Sequence, residues 1–269
     1  MPPLTPKALI FDVFGTCVDW RGSIIAEGRV LDARWGTVVD WPALADAWRG
    51  RYQPALDEVR SGRRPWTILD VLHRESLDAL APAFGLDKLD EAQRDHLNGV
   101  WHRLTPWPDT VAGLTRLKRR FIIGPLSNGN FALLTNMAKH SALPWDVNLS
   151  CELYRAYKPK PETYLGAAGL LGIQPAEVML VAAHYSDLQA ARRCGLLTAY
   201  VHRPREFGDS RRTICRRIPR SISSPAISRS SQVGWAASRP LARRDGREPG
   251  TTGAPVAPMA DGISGGRAA

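Results

Sequence analysis

Four stretches of the chain place a polar or charged side chain where an apolar run ends. Asp12 follows ALIF and leads into a turn at Gly15 and Thr16; Ser127 and Asn128 close FIIGPLS; Lys158 lies in YKPKPETY; Asp187 comes after EVMLVAA, in AAHYSD. A carboxylate carried off the end of a buried strand into a glycine turn can point into a crevice, because glycine lets the backbone curl beneath it. Such a carboxylate acts as a nucleophile when a cation holds it ionised and aimed, and Lys158 is the natural cation. Alone, each residue has a plainer reading, a turn cap for Asp12 or a solvated charge for Lys158. Their recurrence at successive apolar runs is what singles them out.

Groups at strand ends need a scaffold that gathers those ends. KALIFDVF reads as a buried strand, TVAGLTRLKRR as an amphipathic helix, FIIGPLS as a strand and FALLTNMAKHSAL as a helix. PETYLGAAGLLG is a helix begun by Pro and stopped by Gly, EVMLVAA a strand, SDLQAARRCG a helix with Ser186 as its N-cap, and LTAYVH a last strand. This alternation predicts an α/β fold with a Rossmann-like, mostly parallel sheet covered on both faces, whose functional groups collect at the strand carboxyl ends. From about Arg21 to Pro106 the pattern is helical, apolar residues recurring every three or four positions in WPALADAWRGRYQPALDEVRSG and WTILDVLHRESLDALAPAFG, with no convincing strand. The expected organisation is a core of residues 1–20 and 107–207, an inserted helical cap of residues 21–106 over the strand ends, and a tail of residues 208–269.

The 269 residues carry a net charge of +10, a value that invites a nucleic-acid reading until the charge is located. Residues 208–269 hold 11 Arg, no Lys and 4 acidic residues, leaving 25 basic and 22 acidic residues to positions 1–207. The basicity is therefore mostly the tail's, and the tail's Ser, Pro, Gly and Arg without periodicity predict disorder. Four cysteines, Cys17, Cys151, Cys194 and Cys215, lack metal-site spacing. A soluble, cytoplasmic protein is expected, with no bilayer-length apolar segment. GLLGIQ ends a helix where a dinucleotide-binding loop should begin one.

Taken in order, DVFGT, SNGN, YKPKPETY and AAHYSD resemble the haloacid dehalogenase superfamily, specifically its type II 2-haloacid dehalogenases, over about residues 7–207. The resemblance implies hydrolysis of short-chain 2-haloalkanoic acids to 2-hydroxyalkanoic acids. Asp12 would displace halide from C2 with inversion, and water would then hydrolyse the Asp12 ester. Lys158 would hold Asp12; Thr16 and Asp187 would complete the frame, Asp187 also orienting or activating water. Ser127, Asn128 and backbone N–H groups would receive the substrate carboxylate. Arg49, in AWRGRYQPAL, matches the family's WR element and would approach the halide, Trp66 would form an apolar wall, and Tyr164 matches a family tyrosine. Each of these three also reads as an ordinary helix-surface or core residue.

Phosphatases of the superfamily resemble one another in using DxD, whose second Asp protonates the leaving group, with further acidic residues for magnesium. Here Phe14 stands two after Asp12, and the fourth motif offers only Asp187. A hard divalent cation wants several oxygen ligands, and a phosphate dianion facing two bare carboxylates is repelled. A halide needs neither proton nor metal to leave. The expectation is a metal-independent enzyme without cofactor, acting on a small 2-haloacid and water, with no nucleic-acid or membrane partner and homodimerisation open. The rivals are a small-molecule phosphatase and nucleic-acid binding through the basic tail.

Two departures bear on the site. Ala182 and His184 stand where family members often have Ser and Asn, and Phe14 where relatives have a tyrosine. His184 can donate a hydrogen bond, or protonate near neutral pH and assist a poorer leaving group, or simply pack or cap. Relatives also follow the strand equivalent to LTAYVHRPREFG with an acidic, apolar ending, whereas this chain turns Arg-rich. A reading-frame slip shortly after Phe207 is the hypothesis that explains this change of ending.

Overall fold

A computed structural model of the chain describes residues 5–208. Apart from Gly208, the reading of residues 208–269 as a disordered or frame-shifted tail falls outside the described residues. In chain order the elements begin with β1 (Ala8–Phe11) and β2 (Val18–Asp19). Helices α1 (Trp20–Trp35), α2 (Trp41–Arg60), α3 (Leu69–Leu80) and α4 (Glu91–Asn98) follow, then β3 (Thr105–Pro106). The remainder alternates as α5 (Thr110–Lys118), β4 (Ile122–Ser127), α6 (Phe131–His140), β5 (Leu149–Ser150), α7 (Pro161–Leu170), β6 (Val178–Ala182), α8 (Tyr185–Arg193) and β7 (Leu197–Tyr200).

The apolar run of β1 is buried at every position and forms the middle of a five-stranded sheet in the order β5-β4-β1-β6-β7, every pairing parallel. Strands buried on both faces read as unbroken apolar runs, which is why ALIF and VMLVA were legible. Phe11 lies opposite Pro125 of β4 and Val181 of β6, so Asp12 is the first residue past the β1 edge. Its own N–H still donates to the Val181 carbonyl at 3.0 Å. The chain winds outward from β1 through β4 to β5 and then returns to the other side of β1 as β6. Asp12 therefore stands in the crevice where the strand order reverses, the usual ligand position of such sheets.

Two sequence expectations require correction. The stretch from Arg21 to Pro106 does contain strand: Thr105–Pro106 pairs antiparallel with Val18–Asp19, a ribbon made by the outgoing and returning chain. At two residues per strand it is too short to show alternation. Helix α8 begins at Tyr185, so its N-cap is His184, not Ser186, and no side chain caps it. The His184 imidazole is engaged elsewhere.

Helices α1 to α4 fill the interval between the ribbon's two strands. Asp19 accepts from Gly22 N at 2.8 Å to cap α1, Asp40 accepts from Ala43 N at 3.0 Å to cap α2, and Asp90 with Gln93 forms a capping box on α4. Their interior is aromatic: Trp20, Trp41, Trp48 and Trp101 are buried, with Trp101 stacked on Trp20 at 6.4 Å and edge-on to Trp48 at 5.4 Å. Two contacts join α2 to the sheet's carboxyl end. Asn128, just past β4, donates to the Tyr52 hydroxyl at 2.9 Å, and Arg60 donates to the Lys158 carbonyl at 2.8 Å. No helix of the described residues is long and apolar enough to cross a membrane.

Candidate active site

Asp12 is 7% exposed, and each of its carboxylate oxygens is occupied. Lys158 Nζ donates to Oδ1 at 3.0 Å. Oδ2 accepts from the Thr16 hydroxyl at 2.7 Å and faces His184 Nδ1 at 2.8 Å. The turn makes this geometry available: Gly15 has φ +81°, the left-handed region that favours glycine, and brings Thr16 back beneath the strand end. The Thr16 hydroxyl in turn accepts from Ala183 N–H at 2.9 Å, past β6, which fixes its proton on Asp12.

Lys158 is shared. Its Nζ also donates to Asp187 Oδ2 at 2.5 Å, while Asp187 Oδ1 accepts from the Tyr164 hydroxyl at 2.6 Å. Burial alone would raise the Asp12 pKa, but the Lys158 ammonium and His184 overcome it and hold the carboxyl well below its usual range. Burial would likewise lower Lys158, and the charges of Asp12 and Asp187 hold it well above its ordinary value. Burial and then Asp187 push the Tyr164 phenol up, so it stays a donor. Burial would depress His184, yet Asp12 and Glu206 raise it to about 10. The centre thus holds an ionised carboxylate among cations, with no proton to lose first.

A second group lies toward the helices. The Arg49 guanidinium sits 4.2 Å from the Tyr52 ring centre and 5.4 Å from that of Trp20, and its Nη1 is buried without a hydrogen-bond partner among the described residues. His73 adjoins it, stacked on Trp101 at 4.1 Å with neither ring nitrogen bonded. Burial and then Arg49 lower its pKa, so it stays neutral and adds no second positive charge beside the guanidinium. A buried orphan donor is costly unless something pairs with it. An anion is the group that would. Phe14, 2% exposed, packs edge-on against Trp101 at 5.8 Å.

Between these groups, Asn128 accepts from Lys158 N–H at 2.8 Å through Oδ1 while donating to Tyr52. Buried Ser127 accepts from Gly129 N–H at 3.2 Å, which leaves its hydroxyl proton for a ligand oxygen. Trp66 takes Tyr157 as its ring partner at 4.7 Å. Asp12, Thr16, Lys158, Asp187, Tyr164 and His184 form one hydrogen-bonded network; Asn128 joins it at the Lys158 N–H, Arg49 lies over Tyr52, whose hydroxyl accepts from Asn128, and Trp66 lies outside these contacts.

Sequence reasoning missed three members. Tyr52 is three residues from Arg49 on α2, a spacing that shares a helix face and was readable. Trp20 and Glu206 carried no signal. Glu206 lies beyond the last strand, in PREF, and reaches back to His184 Nε2 at 2.9 Å. A divalent cation bridging Asp12 and Asp187 would have to occupy the position of Lys158 Nζ, and among the described residues no three His, Cys, Asp or Glu are grouped to hold a metal. The donors present do not fit magnesium.

Comparison with known proteins finds the same fold in 2-haloacid dehalogenases. A crystal structure of an L-2-haloacid dehalogenase superposes with TM-score 0.75 at 51% identity, covering 77% of this chain and 88% of that one. A defluorinating L-2-haloacid dehalogenase gives TM-score 0.75 at 48% identity, covering 78% and 87%. The L-2-haloacid dehalogenase of Xanthobacter autotrophicus, with chloropropionic acid covalently bound, gives TM-score 0.64 at 26% identity, covering 75% and 78%. The family model for haloacid dehalogenase-like hydrolases matches residues 6–195, a span that starts just before β1, ends just after α8 and contains all four motifs. The chain belongs to the haloacid dehalogenase-like hydrolase family.

Proposed function

We propose that this enzyme hydrolyses short-chain (S)-2-haloalkanoic acids to 2-hydroxyalkanoic acids through an ester on Asp12. The observation that carries the reading is the state of Asp12: buried, ionised and paired with Lys158, with Phe14 packed on Trp101 where a phosphatase would place its proton donor. Oδ1 has one partner and Oδ2 two, so Oδ1 is the freer nucleophile. It attacks C2 from behind, and the carbon-halogen bonding pair leaves with the halide toward Arg49. The guanidinium, set over Tyr52 and Trp20, offers the departing anion an unused donor. Ser127, Asn128 and nearby backbone N–H groups receive the substrate carboxylate, and Asp187, held by Lys158 and Tyr164, takes the proton of the attacking water. Helices α1 to α4 act as the cap that excludes bulk water. Trp20 and Tyr52 make the apolar wall beside Arg49, while Trp66 supports the cap through Tyr157. The same reading makes the enzyme metal-independent and cytoplasmic, with no nucleic-acid or membrane partner and with homodimerisation open.

The test is halide release from each enantiomer of 2-chloropropionate in the presence of a chelator, with p-nitrophenyl phosphate plus magnesium as the competing assay. The expected result is chloride and (R)-lactate from the S enantiomer only, unaffected by chelation. Turnover of the phosphate ester with no chloride from either enantiomer would contradict it.

A further inference from the structure

His184 has no task in the scheme above, yet it is among the most constrained side chains of the site. Nδ1 lies 2.8 Å from Asp12 Oδ2, and Nε2 lies 2.9 and 3.2 Å from the two oxygens of Glu206. Glu206 is 4% exposed and also accepts from Trp20 Nε1 at 3.3 Å. A Cβ on Gly15 would stand 2.1 Å from Glu206 Oε1, so the turn beneath the nucleophile leaves room for this carboxylate only because residue 15 is glycine. An imidazole with a carboxylate oxygen at each nitrogen keeps a proton on both. Oδ2 therefore faces two fixed donors, Thr16 O–H and His184 Nδ1–H.

Resting on the dehalogenase reading, we propose that His184 and Thr16 form an oxyanion site on Asp12 Oδ2 for hydrolysis of the ester, and that Glu206 is the positioning residue that keeps His184 protonated and aimed. When Oδ1 bonds to C2, Oδ2 becomes the ester carbonyl oxygen. Water attacks Cγ and passes one proton to Asp187 while the carbonyl π pair moves onto Oδ2, so the negative charge appears between Thr16 and His184. Donors set in advance where charge develops are the usual largest contribution to catalysing such a step. Collapse returns the pair to the carbonyl and breaks the Cγ–Oδ1 bond. Oδ1 leaves as the hydroxyl oxygen of the product with the proton held by Asp187, and Asp12, now carrying the water oxygen, releases its remaining proton to solvent.

Glu206 matters most at that moment. Ester formation removes the Asp12 charge, one of the two anions beside His184, and Glu206 alone then holds the imidazolium. Other charged groups around this pair include Lys158 and Asp187, across Asp12, Asp19, which faces Glu206 from the start of α1, and Arg203, which donates to the Thr16 carbonyl. In the free enzyme His184 is raised from 6.5 to about 10, chiefly by Asp12 and Glu206 working against burial. In the ester form the contribution of the Asp12 charge is gone, so His184 titrates lower than in the free enzyme.

The experiment is rapid-quench kinetics on (S)-2-chloropropionate, reading the halide burst for the first step and decay of the Asp12 ester for the second, across pH. In the wild type, decay should slow as pH rises and His184 loses its proton. Glu206→Gln should keep the burst and move that alkaline limb down by at least about one pH unit, the size of shift one lost charge partner gives. His184→Ala should keep the burst while slowing decay by about 10²–10³-fold, as for loss of one oxyanion donor; His184→Asn, a neutral donor, should recover part of the rate without the limb. Burst amplitude counts folded sites, so a misfolded variant is recognised, and the His184→Asn profile decides the matter if Glu206→Gln fails to fold. An intact burst with an unmoved limb, or a decay that quickens with pH, would overturn this role alone. No halide release by the wild type from either enantiomer would overturn the dehalogenase reading together with it.

Discussion

Asp12→Asn lowers halide release from (S)-2-chloropropionate by a factor on the order of 10⁵ or more, to the background rate, as removal of a covalent nucleophile does elsewhere. The amide keeps the shape of the carboxylate but presents no anion to C2. The fold should survive, because both cations keep a second partner: Lys158 still donates to Asp187 and His184 still faces Glu206. Chloride assayed by ion chromatography, with circular dichroism to verify the fold, checks this. Release within tenfold of wild type from a folded variant would remove Asp12 from the chemistry.

Lys158→Met produces the second large effect, on activity and on stability. Asp12 and Asp187 both contact Nζ, so its loss leaves two buried carboxylates facing one another across an apolar chain. Breaking a buried charge cluster by removing one member costs about 3–5 kcal/mol. One carboxylate then takes up a proton, and activity should fall by roughly 10³-fold, the order of losing a preorganised electrostatic partner. The pH dependence follows from the directions of the shifts. Asp12 lies below its ordinary 3.8 in the folded enzyme, so its contribution is complete above that pH and is lost as pH falls toward the folded value. Lys158 lies above its ordinary 10.5, so its contribution is complete below that pH and is lost only as pH rises through the folded value. The stability deficit of the variant should therefore be greatest between about pH 4 and 10 and narrower by about 1 kcal/mol at pH 3. Urea unfolding at pH 7 and pH 3 measures it; equal deficits at the two would contradict the charge arrangement.

The strands of the sheet were legible because parallel strands buried on both faces advertise themselves as apolar runs, and the polar residues closing those runs marked the site. Asp12, Lys158 and Asp187 could be read for that reason, although they lie up to 175 positions apart in the chain. The ribbon of Val18–Asp19 with Thr105–Pro106 could not, since two-residue strands have no period. Ser186 looked like a helix cap from its type alone. The cap position belongs to His184 because the chain leaves β6 with His184 extended and its imidazole between Asp12 and Glu206. Glu206 itself is a lone acid in a polar stretch. Only the return of the chain past β7 toward the Gly15 turn, where no side chain blocks it, shows what it touches.

A single turnover in water enriched with oxygen-18, with enzyme in excess over (S)-2-chloropropionate, tests most directly whether Asp12 forms a covalent ester. One heavy oxygen should appear in the carboxyl group of Asp12, located by peptide mass spectrometry, while the lactate formed carries the light oxygen that Asp12 held before. Heavy oxygen in the lactate with none on Asp12 would mean that water attacks carbon directly, and the nucleophilic role assigned to this carboxylate would be wrong.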